Sequence, residues 1–195
     1  MTRGQGLSGT KDDELEAVAN GFAEDVEAVL EGLRSLDGIT DPEEIVAGLL
    51  VELSRALTIG ARMAAMPRLV PPDRYEPDSG PDIDLDDTRV ALATILDGFD
   101  TYVEVFDPYD DPAAPAAYRI SDDVISLTAA LAHGMQHARA GRPIEALWWW
   151  QFSFFSSWGG ETTSALRALQ SVIARDRIVG AIPAMSPEEP PLDPL

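Results

Sequence analysis

Residues 143–158 read PIEALWWWQFSFFSSW, and they hold all four tryptophans of the chain together with Phe152, Phe154 and Phe155. Seven aromatics at about 150–250 Å² each would withdraw on the order of 1,000 Å² from water when buried. A stretch with that load cannot stay exposed without a large loss of hydrophobic free energy. It is therefore read as the central helix of the fold. On a 100° wheel, Leu147, Trp148, Gln151, Phe152, Phe155 and Trp158 form one broad arc, which Trp150 and Phe154 extend. Trp148, Trp150, Phe152, Phe154, Phe155 and Trp158 are the expected core. The other strip holds Ser153, Ser156 and Ser157, with Trp149 among them. Its serines either bond back to the preceding turn or line a pocket with an aromatic wall.

The rest of the chain supplies neighbours for that rod. Leu15, Val18, Phe22, Val26, Val29, Leu33 and Leu36 step by threes and fours, which predicts a helix from about Asp12 to Gly38. Thr40-Asp41-Pro42-Glu43-Glu44 is a helix start, with a cap, an early proline and glutamates behind it. That second helix runs to about Met66. Residues 67–84 carry five prolines and cannot be regular helix; Tyr75 is a candidate anchor for them. A third helix is predicted over Asp86–Val105, with Val90, Leu92, Leu96, Phe99, Val103 and Phe106 as its core set. Ser121 is expected to cap a fourth, striped by Ile120, Val124, Leu127, Leu131, Met135 and Ala138. Gly141-Arg142-Pro143 and Gly159-Gly160 read as corners, so the fourth, fifth and sixth helices (the last about Glu161–Arg177) should form antiparallel hairpins. The expectation is an all-α single domain of about six helices over residues 11–180, with two Pro-rich acidic loops. Residues 1–10 and 181–195 are read as disordered ends.

A chain of 195 residues with 45% hydrophobic residues can bury one sizeable core. It has no cysteine, which excludes disulfides, thiolate metal sites and a cysteine nucleophile. The absence of a signal-like N-terminus or a long apolar run points to a soluble, cytoplasmic protein. The net charge of −20 is concentrated. Residues 73–123 hold 15 acidic and 3 basic side chains, whereas residues 124–177 hold 3 acidic and 5 basic. Such a flank repels nucleic acid and anionic membrane and attracts basic partners.

Candidate chemistry is sparse. His133 and His137 in HGMQH lie one turn apart on the fourth helix, on the side of Asp122 and opposite the apolar stripe. Two imidazoles and a carboxylate are a candidate set for a divalent metal or for acid–base work. Gly134 stands where a zinc-protease motif has its glutamate. Arg74, Tyr75 and Asp78 in one Pro-rich loop, and Asp107 and Tyr109 in the other, are candidate partner or ligand contacts. The competing reading is turn chemistry on a solvated acidic surface. No phosphate loop and no GxSxG is present.

RYEPD at Arg74–Asp78, VFDPY at Val105–Tyr109, RISDD at Arg119–Asp123, HGMQHARAGR at His133–Arg142, EALWWWQFSFFSSWG at Glu145–Gly159 and ALRALQS at Ala165–Ser171 together resemble a bacterial family. It is the domain-of-unknown-function family numbered five thousand and sixty-three, frequent in actinobacteria, and the likeness spans about Leu49–Ala174. The resemblance implies a small helical cytoplasmic protein, encoded near recombination-repair genes, and supplies no catalytic residues. The expected function is a non-enzymatic interaction module. Its acidic surface would bind a basic partner, for example a DNA-handling protein, with no direct nucleic-acid or membrane contact and no cofactor. The alternative is a metal- or ligand-dependent enzyme built on His133 and His137.

Overall fold

The computed structural model describes residues 6–71, 73, 77–105, 109, 111–175 and 177, with side chains from Asp13 onward. The elements are α1 (Gly6–Arg34), α2 (Pro42–Ala64), α3 (Asp86–Ile95), β1 (Thr101–Glu104), β2 (Ala116–Arg119), α4 (Ile120–Arg139), α5 (Pro143–Ser153), a π-helical turn (Phe154–Trp158) and α6 (Gly159–Ala174). The fold is all-α apart from one small antiparallel hairpin. α1 starts six residues before the point read from the sequence. The predicted tail, residues 181–195, lies outside the described residues.

α2 begins as its sequence dictates. The Asp41 side chain accepts from the Glu43 amide at 3.0 Å, and Pro42 takes the first helical position. α3 is shorter than expected. Gly98 adopts φ +92°, a left-handed conformation that suits glycine, and turns the chain out of the helix. Thr101, Tyr102 and Val103 are β-branched or aromatic, so with Glu104 they form β1 instead of continuing α3. β1 pairs with β2 in the register Thr101↔Arg119 and Tyr102↔Tyr118. Val90 and Val103, placed in the core by a helix to Val105, are 57% and 65% exposed.

α4 packs against α1, α3, α5, α6, the π turn and β2, so it has more neighbours than the tryptophan helix itself. Its start is capped from outside. Asp100 Oδ1 accepts from the Ser121 amide at 2.8 Å, and Asp100 Oδ2 accepts from Ser121 Oγ at 2.9 Å. Ser121 is therefore the donor in this cap, inside the helix, and not the capping residue.

The Gly159-Gly160 corner does not exist. α5, the π turn and α6 follow one another with no break in helical structure. The Gly159 amide bonds to Phe154 O, five residues back, which is the π hydrogen bond. A Cβ at Gly159 would lie 2.4 Å from that oxygen, so the glycine permits the wide turn where the sequence implied a reversal. The inserted residue also shifts the phase of the helical wheel. Trp150 and Trp158 are fully buried and Phe154 packs half-buried on the core. Phe152 and Phe155, expected inside, are 51% and 64% exposed, and Trp148 is half-buried against Phe152. Ser153, on the serine strip, is buried.

Candidate functional site

The aromatic block is seated on α4 by hydrogen bonds as well as by packing. Trp149 and Trp150 donate their indole N–H groups to the Ala130 and Leu131 carbonyls at 3.0 and 3.1 Å. These carbonyls have a second lone pair free beyond the helical bond. Gly134 makes the approach feasible: a Cβ there would sit 2.0 Å from Trp150 Nε1. The residue that breaks the zinc-protease pattern is thus a steric requirement of the tryptophan beside it.

His133 packs against Trp149 with the rings tilted and their centres 4.4 Å apart, and lies 5.1 Å from the His137 ring in an edge-on arrangement. His137 is fully buried. His133 is partly exposed and packs on Trp149, so the side of α4 opposite its apolar stripe forms a second packing face. Among the described residues a carboxylate beside the pair is Asp82, whose Oδ1 lies 3.3 Å from His133 Nδ1. Asp122 is eleven residues earlier on α4, about 16 Å along the axis, and faces Arg89 at 3.9 Å. The predicted His133–His137–Asp122 constellation does not form. Among the described residues no group of three or more His, Asp or Glu converges to hold a metal.

Asp82 belongs to the Pro-rich segment 67–85, whose described residues, 67–71, 73 and 77–85, form a strap over the helices. Two glutamines that the sequence reading gave no role pin it. Buried Gln151 accepts from the Leu69 amide at 2.8 Å and donates to Pro67 O and to Met63 O at the end of α2. Gln136 donates to Pro81 O at 2.9 Å and pairs with Ser79 Oγ at 3.2 Å. The visible signal was a lone amide within an aromatic arc, a residue that must find partners once buried. Of the loop candidates, Arg74, Tyr75 and Asp107 lie outside the described residues. Asp78 is exposed and accepts from the Gly80 amide at 2.9 Å, an Asx turn, and Tyr109 is 95% exposed. The three serines bond back to carbonyls of the preceding turn, as Ser153 does to Trp149 O at 2.7 Å.

A second polar cluster joins β1, α4 and α6. Tyr102 donates to Asp123 Oδ2 at 2.6 Å. Burial pushes the Asp123 carboxyl up to about 7; the Tyr102 bond opposes this, and Glu161, Asp122 and Asp100 add to it. Burial, followed by the bond to Asp123, drives the Tyr102 phenol above its ordinary range. Arg119 Nε donates to the neighbouring Asp100 at 2.9 Å. The cluster ties three elements together and leaves one carboxyl able to change charge near neutrality.

An apolar cleft of about 450 Å³ opens between α1, α2, α3 and α4, away from the serines. Leu33, Leu49, Leu92, Val124 and Met135 line its interior, and Ile83 and Leu85 of the strap form part of one wall. Glu27 bridges Arg34 and Arg139 at its edge, at 2.8 and 2.7 Å.

The fold and site together define a small helical domain with a packed tryptophan helix, a pinned strap and an acidic flank. The chain belongs to the family described as domain of unknown function (DUF5063), whose model matches residues 11–175. Its fold is similar to the crystal structure of protein BF1032 from Bacteroides fragilis, with a TM-score of 0.60 at 18% identity, covering 77% of this chain and 89% of that one. No curated protein matches the sequence. Among the described residues no helix is long and apolar enough to cross a membrane.

Proposed function

We propose that the protein is a non-enzymatic binding module whose acidic flank, residues 73–123, engages a basic protein partner. The supporting observation is the disposition of charge. Nine described carboxylates between Asp73 and Asp122 are exposed, whereas Arg89 and Arg119 are the described basic side chains of the same stretch. Arg89 is drawn into pairs with Asp86 and Asp122, and Arg119 into one with Asp100. The acidic strap is held against the helices by Gln136 and Gln151, so its carboxylates are presented on a supported backbone. Fixed like charges focus a field that accelerates encounter with a basic surface and is weakened by salt.

Affinity capture from native lysate at low and high salt tests this reading. The wild-type chain should retain a partner that salt releases. A variant with Asp82, Asp84, Asp86 and Asp87 changed to Asn should lose it. No salt-sensitive partner, or equal retention by the neutralised variant, would contradict the reading.

A further inference from the structure

We propose that the cleft between α1, α2, α3 and α4 is the docking groove for a basic amphipathic helix of the partner, a specification that rests on the acidic-flank reading. The shape comes from the way α3 packs. Among the described elements its substantial contact is with α4, so it stands away from α1 and α2 and leaves a trough with α4 beneath. The volume of about 450 Å³ falls within the range of binding sites, about 300–1,000 Å³. The lining is aliphatic, from Leu33 and Leu49 on one side to Leu92 and Ile83 on the other. A helix laid in such a trough buries side chains at i, i+3, i+4 and i+7.

Charge chooses the partner. Ile83 and Leu85 line the trough, and Asp82, Asp84, Asp86 and Asp87 flank them, all exposed. Asp37 lies on the opposite wall. The two arginines at the edge, Arg34 and Arg139, share the single carboxylate of Glu27, so with Asp37 that rim is charge-balanced and the net negative wall is the one formed by the strap and the start of α3. An apolar floor beside this one acidic wall matches a helix with leucine-like residues on one face and Lys or Arg along the edge that meets the strap.

The probe is a labelled Leu/Lys peptide of about fifteen residues, about 22 Å as a helix, with leucines at helical spacing. Its controls are an isomer of the same composition with scrambled leucines, and a Leu/Glu counterpart. Fluorescence anisotropy on the full chain should give saturable binding of the amphipathic peptide, at least about tenfold tighter than of either control. Ala91→Trp, at an exposed position on the trough wall, and Ala132→Phe, on its floor, should each weaken that binding about tenfold or more with the helical circular dichroism unchanged. Equal binding of the scrambled isomer would overturn the groove while leaving the acidic surface standing. Equal binding of the Leu/Glu peptide would overturn the basic partner. No binding of any peptide would overturn the groove irrespective of the lysate capture. A dimer of the free protein that Ala91→Trp dissociates would assign the trough to a second copy and overturn it as well.

Discussion

At the scale of single residues, two positions that look incidental hold the aromatic block and the strap in place. Gly134 leaves room for the Trp150 indole, whose nitrogen would lie 2.0 Å from any Cβ at that position. Gly134→Ala would improve helix propensity in isolation, but here overpacking dominates. A loss of about 1–3 kcal/mol or more is expected, read by urea denaturation with intrinsic tryptophan fluorescence. A neutral or stabilising result would mean that Trp150 can leave its seat freely. Gln151 carries the second role. Gln151→Leu removes the acceptor for the Leu69 amide and leaves the Met63 carbonyl without this donor. Each buried polar group left unsatisfied costs about 1–3 kcal/mol. Hydrogen exchange should show Leu69 losing protection before the helices do. Unchanged protection there would contradict the pinning role.

At the scale of elements, the helix pattern was legible where apolar residues recur at helical spacing over several turns. The α1, α2 and α4 stripes and the Asp41-Pro42 start of α2 are examples. It was not legible where a local signal has two physical uses. Gly-Gly at 159–160 reads as a corner, yet Gly159 permits a π turn that keeps the rod continuous, and Phe155 within that turn is on the surface. Thr101–Glu104 carries apolar residues that suit a helix face, but pairing with Ala116–Arg119 and the left-handed Gly98 decide for a strand. The candidate site was half legible. HGMQH was singled out, but among the described residues Asp82 of the distant strap lies beside His133, and sequence spacing along one helix cannot show that. The β1–α4–α6 junction gives a pH prediction. The unfolded chain releases the Asp123 proton near the ordinary value of 3.8, whereas the fold holds it to about 7. Between those values the folded state binds the extra proton, so this contribution stabilises at low pH and fades as pH rises. The stability of the wild type relative to Asp123→Asn should therefore fall from about pH 4 to about pH 7 and then level off. A difference independent of pH would show that the junction does not hold a neutral carboxyl.

At the scale of the whole molecule, the two sides of the chain differ in kind. The acidic flank and the trough lie toward the strap and α3. The C-terminal helical rod, from Pro143 onward, carries the aromatics and, in α6, Arg167 paired to Glu104. A net charge of −20 keeps copies apart and favours basic partners. The aliphatic trough adds a surface on which such a partner can be ordered as well as attracted. The account's central claim is that recognition occurs on this acidic side. Hydrogen-exchange footprinting of the full chain with the salt-sensitive partner captured from lysate tests it most directly. The account predicts new protection in residues 77–97 and along the facing parts of α1 and α4, with α6 unchanged. Protection confined to α6 and the exposed Phe152–Phe155 surface would contradict it.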